Sequence, residues 1–190
     1  MQRWSRALSL TALMAAMPPA SAADPSVALR VKTYPIQGRT SEELRDTIIQ
    51  ASRALGNGAH GAASATFKFV PLLDYRESEN GCVLSDVRVR LEAAITLPEW
   101  VSSRGADEAT VGAWRRFERY VRAHEARHEA IAADFRRTME RELEAIGVME
   151  SCPALGREAV AVVADVERMH HEAQISFDRE ERVRSSLLGR

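Results

Sequence analysis

Two histidines four residues apart with a glutamate behind the first, His124-Glu125-Ala126-Arg127-His128, are the part of this sequence best suited to chemistry. On an α-helix, positions i and i+4 lie one above the other on the same face. Two imidazole nitrogens at that spacing can converge on one ion, for zinc at about 2.0–2.1 Å. Glu125 falls beside the ion without having to ligate it. There it can take a proton from an attacking water and pass it to a leaving amine. The motif therefore reads as a zinc peptidase centre, with His124 and His128 as zinc ligands and Glu125 as general base.

That spacing works only on a helix, and the surrounding sequence supplies one from about Glu108 to Ile146. Trp114, Phe117, Val121, His124, His128, Phe135 and Met139 fall within one stripe about 80° wide. The histidines are thus expected on the core-facing side, with Glu125 near its edge. Gly147 and Ser151-Cys152-Pro153 interrupt the helix, and a second runs from about Leu155 to Ser185. Its apolar stripe is Val162, Val163, Val166, Met169, Ala173 and Phe177. Two long helices joined by a short connection fold back antiparallel.

A zinc site needs a third protein ligand, and Glu129-Ala130-Ile131-Ala132 supplies no third histidine after the motif. With the turn centred near Ser151, a site near Ala126 faces the second helix at about residue 176. Within two turns of that point lie His170, His171, Glu172, Gln174, Asp178, Glu180 and Glu181. His170 has the better orientation, inside the apolar stripe. Asp178 has the better height, and His171 shares its flank. The third ligand stays open among His170, His171 and Asp178. Tyr120 falls off the site face of the wheel and reads as packing.

Before these helices the pattern is mixed. Ala28 to Ile36 is a short extended segment ended by Pro35 and Gly38. Thr40-Ser41-Glu42-Glu43 is a capping box that opens a helix to about Leu55. Ala65, Phe67 and Phe69 alternate with polar residues. After a turn around Ser78-Glu79-Asn80-Gly81, apolar residues occupy odd positions from Val83 to Leu97, and Pro98 ends the run. Period-two alternation about a polar turn predicts an antiparallel hairpin with one wet face. The expected fold is α+β: a small antiparallel sheet, an N-terminal helix and a long C-terminal helical hairpin. The Val83 to Leu97 strand is expected to offer an edge on which an extended peptide could lie.

The first 22 residues read as a signal peptide. Arg3 and Arg6 form a basic start, Ala7 to Met17 is apolar, and Pro18-Pro19 precedes the small-residue pattern Ala20-Ser21-Ala22. Residues 23–190 are then one domain, periplasmic or secreted. No second apolar run is long enough to span a membrane. Removing Arg3 and Arg6 takes the formal charge from -1 to -3, which argues against nucleic acid as a partner; the peptidase reading of the motif implies a peptide or protein substrate. Cys82 and Cys152 are the two cysteines. In an oxidising compartment an even, widely spaced pair reads as one disulfide.

The chain resembles a family of secreted proteobacterial proteins of unknown function, domain-of-unknown-function family 922, filed as predicted secreted zinc-dependent proteases. The residues that carry the resemblance are Tyr34-Pro35-Ile36-Gln37-Gly38, the Cys82 strand ending in Leu97-Pro98-Glu99-Trp100, Trp114 and Phe117 before His124-Glu125-x-x-His128, then Cys152 and Phe177-Asp178. The family's C-terminal pattern of aromatic-Asp-x-x-Thr-x-His-Gly departs here into Phe177-Asp178-Arg179-Glu180-Glu181-Arg182-Val183-Arg184. The resemblance implies a zinc hydrolase. The missing Thr, His and Gly leave room for a competing expectation, a periplasmic protein whose zinc only braces the helices.

Overall fold

The computed structural model describes residues 26–54 and 61–188. The segment read as a signal peptide and Leu55, the expected end of the N-terminal helix, lie outside them. The elements run β1 (Val27–Ile36), α1 (Ser41–Ala54), β2 (Ser64–Ser78), β3 (Gly81–Trp100), α2 (Glu108–Glu144) and α3 (Cys152–Leu188). This is an α+β arrangement. No helix among the described residues is long and apolar enough to cross a membrane.

The sheet corrects the expectation of a purely antiparallel one. Its order is β1-β3-β2, with β2 antiparallel to β3 and β1 parallel to it. Alternation fixes which face of a strand is wet, but not which neighbour it takes or in which direction. β3 is therefore central and paired on both flanks, so it does not offer the free edge expected of it. β3 also continues through Pro98 to Trp100. β2 begins at Ser64 opposite Thr96; beyond that point β1 is the one strand among the described residues that pairs with β3, and a residue without an N–H is tolerated there. Pro35 and Pro71 likewise sit on the edge strands β1 and β2.

From Val87 onward the odd positions of β3 face the core, but a register shift between Asp74 and Tyr75 of β2 reverses the alternation before that, so Cys82 and Leu84 face inward there and Val83 does not. Val89, Leu91, Ala93, Ile95 and Leu97 are all buried. They meet α2 and α3 through Ala132, Met139, Leu143, Ala159 and Val166, with Val121 and Phe117 at the other end of the strand. Tyr34 and Ile36 of β1, Leu44 of α1, Trp100 and Trp114 form a second cluster. α1 is capped as its sequence implies. The Glu43 amide donates to Thr40 Oγ1, and the Glu43 carboxylate reaches back to the Arg39 amide.

Two devices lock the helices to the sheet. At the turn between α2 and α3, Cys82 and Met149 exchange both backbone hydrogen bonds, and Cys82 is disulfide-bonded to Cys152. Closing a loop of this length stabilises a fold by about 4 kcal/mol in the chain-entropy model. The second device stands where β1 is missing. β1 starts opposite Leu91, and at Val89 two α2 side chains take its place. Glu140 accepts from the Val89 amide at 2.9 Å, and Arg136 donates to the Val89 carbonyl at 3.4 Å and to Glu140 at 2.8 Å.

Candidate metal centre

α2 buries Val121, Glu125, Ala132, Arg136, Met139 and Leu143. This stripe differs from the expected one. Glu125 lies inside it, and His124 and His128 lie on its flank, half-buried. The helix packs chiefly on two elements: the stripe faces β3, and the flank faces α3. Contacts across the two helices run in opposite chain directions. His124 meets Asp178, and His128 meets Gln174, both pairs being centred on residue 151.

Three donor atoms converge there. His124 Nε2 and His128 Nε2 are 3.0 Å apart, and Asp178 Oδ1 lies 3.4 Å from the first and 3.1 Å from the second. His124, His128 and Asp178 form a cluster able to hold a metal ion. Two imidazole lone pairs and a carboxylate pointed at one spot repel each other unless a positive charge, a proton or a metal ion, lies between them. The Phe177 ring packs against both imidazoles, with centroids at 4.9 and 4.8 Å. Tyr120 stacks on His124 at 6.1 Å, so its ring does reach the site.

The two histidines are held differently. His124 is kept in place by rings, and its Nδ1 is buried with no hydrogen-bond partner among the described residues. Burial pushes its pKa down, as does His128, against the opposing pull of Asp178 and Glu181. His128 is tied by its second ring nitrogen: Nδ1 lies 2.5 Å from Gln174 Oε1. The Gln174 amide nitrogen contacts the His128 backbone carbonyl at 3.1 Å and His170 Nε2 at 2.7 Å.

Glu125 is 6% exposed. Burial raises its pKa by disfavouring the charged carboxylate, and Asp178 adds to that effect while His128 opposes it. A carboxyl moved toward neutrality beside the donor triangle is suited to exchanging protons.

Of the sequence-derived site residues, the fold brings His124, His128 and Asp178 together, and Glu125, next to His124 in the chain, lies within the electrostatic reach of His128 and Asp178. It does not bring His170 or His171 into that cluster. His171 is exposed. His170 is buried among the edges of Phe67, Phe69 and Phe135, at centroid distances of 5.8, 5.0 and 5.6 Å. The wheel placed His170 correctly on the inward face, but at that height the inward face of α3 meets β2. Gln174 falls within reach of the site in the sequence, but residue type alone does not point to it as a ligand. Its signal is position: an uncharged polar residue one turn from both His170 and Asp178 on a half-buried face. A cavity of about 250 Å³ lies elsewhere, lined by Arg30, Thr66, Lys68 and Glu92 among others, and includes none of the clustered residues.

A family model described as "Bacterial protein of unknown function (DUF922)" matches residues 31–185. No curated protein and no solved structure matches the chain.

Proposed function

The chain belongs to this family of bacterial proteins of unknown function, and from that premise we propose that it is an exported zinc-dependent peptidase. The observation that carries the reading is the convergence of His124 Nε2, His128 Nε2 and Asp178 Oδ1 beside the buried Glu125 carboxyl. Ligands about 2.0–2.1 Å from a tetrahedral ion stand roughly 3.3 Å from one another. The three separations here are 3.0, 3.1 and 3.4 Å. Two imidazoles and one carboxylate also form a usual catalytic zinc set, which keeps a fourth position for water or substrate.

His124, His128 and Asp178 would hold the ion, which when bound supplies Lewis acidity toward water and the scissile carbonyl. Glu125 takes the proton of the attacking water and returns it to the departing amine. Its burial favours this role, because a carboxyl with a raised pKa releases its proton more evenly near neutral pH. Phe177 and Tyr120 shield the imidazoles from bulk water. The disulfide accords with an oxidising compartment outside the cytoplasm, and the substrate is a peptide or protein.

One observation favours a second reading, a zinc brace without catalysis. The disulfide and the Met149 bridge fasten the turn end of the two helices. The donor triangle lies roughly 25 Å further along α2, where an ion would fasten the far end. Zinc content and peptide hydrolysis of wild type, Glu125→Gln and His128→Ala separate the two. The peptidase reading expects Glu125→Gln to keep zinc and lose hydrolysis by about 100-fold or more, and His128→Ala to lose both. Stoichiometric zinc with no hydrolysis by wild type on casein and a mixed peptide library leaves the brace.

A further inference from the structure

Gln174 supplies no atom to the donor triangle but stands behind it, its amide joining two imidazoles and a backbone carbonyl. The His128 carbonyl oxygen can only accept. The amide nitrogen must therefore face it, at 3.1 Å, and Oε1 must face His128 Nδ1, at 2.5 Å. Because Oε1 can only accept, Nδ1 must carry the hydrogen. In a neutral imidazole the other nitrogen, Nε2, is then bare, and it is this atom that points at His124 Nε2 and Asp178 Oδ1. The second amide hydrogen faces His170 Nε2 at 2.7 Å, which must accept and so is unprotonated. A carbonyl with no tautomers thereby fixes the protonation pattern of two histidines.

We infer that Gln174 is a positioning residue that selects the Nδ1–H tautomer of His128 and turns its bare Nε2 toward the donor triangle, with His170 anchoring the amide. This gives His170 a role other than ligand. Its ring is wedged among Phe67, Phe69 and Phe135, so the acceptor it offers is rigidly placed. Which ring nitrogen of a histidine can ligate is set by the hydrogen bond that the other makes. Free histidine favours the Nε2–H tautomer, which has no lone pair where a metal would need it; the Gln174 oxygen reverses that preference.

The consequence for zinc rests on the function proposed above, but the tautomer does not, and the test keeps them apart. Metal-free protein labelled with nitrogen-15 at histidine, held at about pH 8 where free imidazole is neutral, reports each tautomer through long-range proton–nitrogen correlations. Wild type is expected to show His128 and His170 protonated at Nδ1 and bare at Nε2. Gln174→Leu should move His128 toward Nε2–H. Gln174→Glu, whose carboxylate still accepts from Nδ1, should retain the wild-type form. In a competition titration with zinc, Gln174→Leu should bind about 10–100-fold more weakly, with Gln174→Glu recovering most of the loss. A purely packing role would lower the melting temperature of Gln174→Leu and leave its tautomer unchanged. An Nε2–H on His128 in the wild-type spectrum overturns the inference without any variant. Zinc binding nowhere, with the tautomers as expected, overturns the zinc reading and leaves Gln174 its role.

Discussion

Asp178 Oδ1 on α3 lies 3.1 Å from His128 Nε2 on α2. The two residues meet because the turn between their helices is centred on residue 151, and the disulfide and backbone bridge at Cys82 hold that turn against β3. The spatial neighbour of the histidine pair is thus set by the length of a connection some seven helical turns away from Asp178.

From this contact follows the ligand set. Asp178→Ala is expected to weaken zinc binding by about 100-fold or more, as the loss of a direct ligand does. His171→Ala, altering an exposed ring outside the cluster, should change it less than about twofold. Equilibrium dialysis or competition with a chromogenic chelator measures both. Full zinc affinity in Asp178→Ala would remove Asp178 from the site.

His170 should leave a mark on acid stability. Burial, followed by the fields of His171 and His128, pushes its pKa down to about 4. In the unfolded chain it titrates near 6.5. Above that value both states are neutral and its contribution is fully present. As the pH falls toward 4, the unfolded chain takes up a proton that the folded one resists, and stability is lost by about 3 kcal/mol at pH 4. His170→Phe keeps a ring among Phe67, Phe69 and Phe135 and removes the titration. Urea melts of the metal-free protein at pH 7 and pH 4.5 should therefore show a flatter pH dependence for the variant. Parallel slopes would mean that His170 is protonated in the fold as readily as in the open chain.

The cluster and the fold differ in how far the sequence discloses them. His124 and His128 could be paired from spacing, and Asp178 could be set at the right height, because helical rise and turn position are nearly fixed by the chain. Orientation was harder. A wheel assumes one inward direction, whereas α2 packs on both β3 and α3, so Glu125 is deeper than expected and the histidines shallower. The same doubling sends His170 to the β2 phenylalanines, while Tyr120 reaches His124 through i, i+4 spacing on α2 itself. The parallel pairing of β1 with β3 joins Val27 to Leu91, and nothing in the alternation of either strand encodes that partner. It depends on how the intervening α1 and β2 pack.

The Arg136 and Glu140 pair at Val89 should be worth more than a surface ion pair. The Arg136 side chain is 8% exposed and that of Glu140 is 25% exposed. Together they satisfy a backbone amide and carbonyl that no strand among the described residues reaches. Glu140→Ala leaves the Val89 amide without its acceptor and Arg136 without its carboxylate, and is expected to cost about 2–4 kcal/mol. Arg136→Leu should cost a similar amount by taking the Arg136 donor from the Val89 carbonyl and the counter-charge from Glu140, which keeps the Val89 amide. The double variant Arg136→Leu, Glu140→Ala should fall well short of the sum, because the two singles destroy one shared network. Additive losses in denaturant melts would show that the two side chains act independently.

Gly81 faces a harder constraint. Its φ is +130°, and a Cβ built there would stand 2.0 Å from the Met149 carbonyl oxygen and 3.3 Å from Val148 Cγ1. The Met149 oxygen is already the acceptor for the Cys82 amide, so it cannot move without breaking the bridge that seats the turn. Gly81→Ala is expected to cost about 3–5 kcal/mol, combining an unfavourable φ with an overlap. The disulfide should make that cost larger. With Cys82 bonded to Cys152 the turn cannot swing away from β3 to relieve the overlap. In a Cys82→Ser, Cys152→Ser background it can, and the cost of Gly81→Ala is then limited to the worth of the bridge itself. Denaturant melts of the four proteins in this cycle should show a coupling of about 1 kcal/mol or more. A Gly81→Ala variant as stable as wild type would mean that the turn sits further from β3 than the Cys82 to Met149 hydrogen bonds place it.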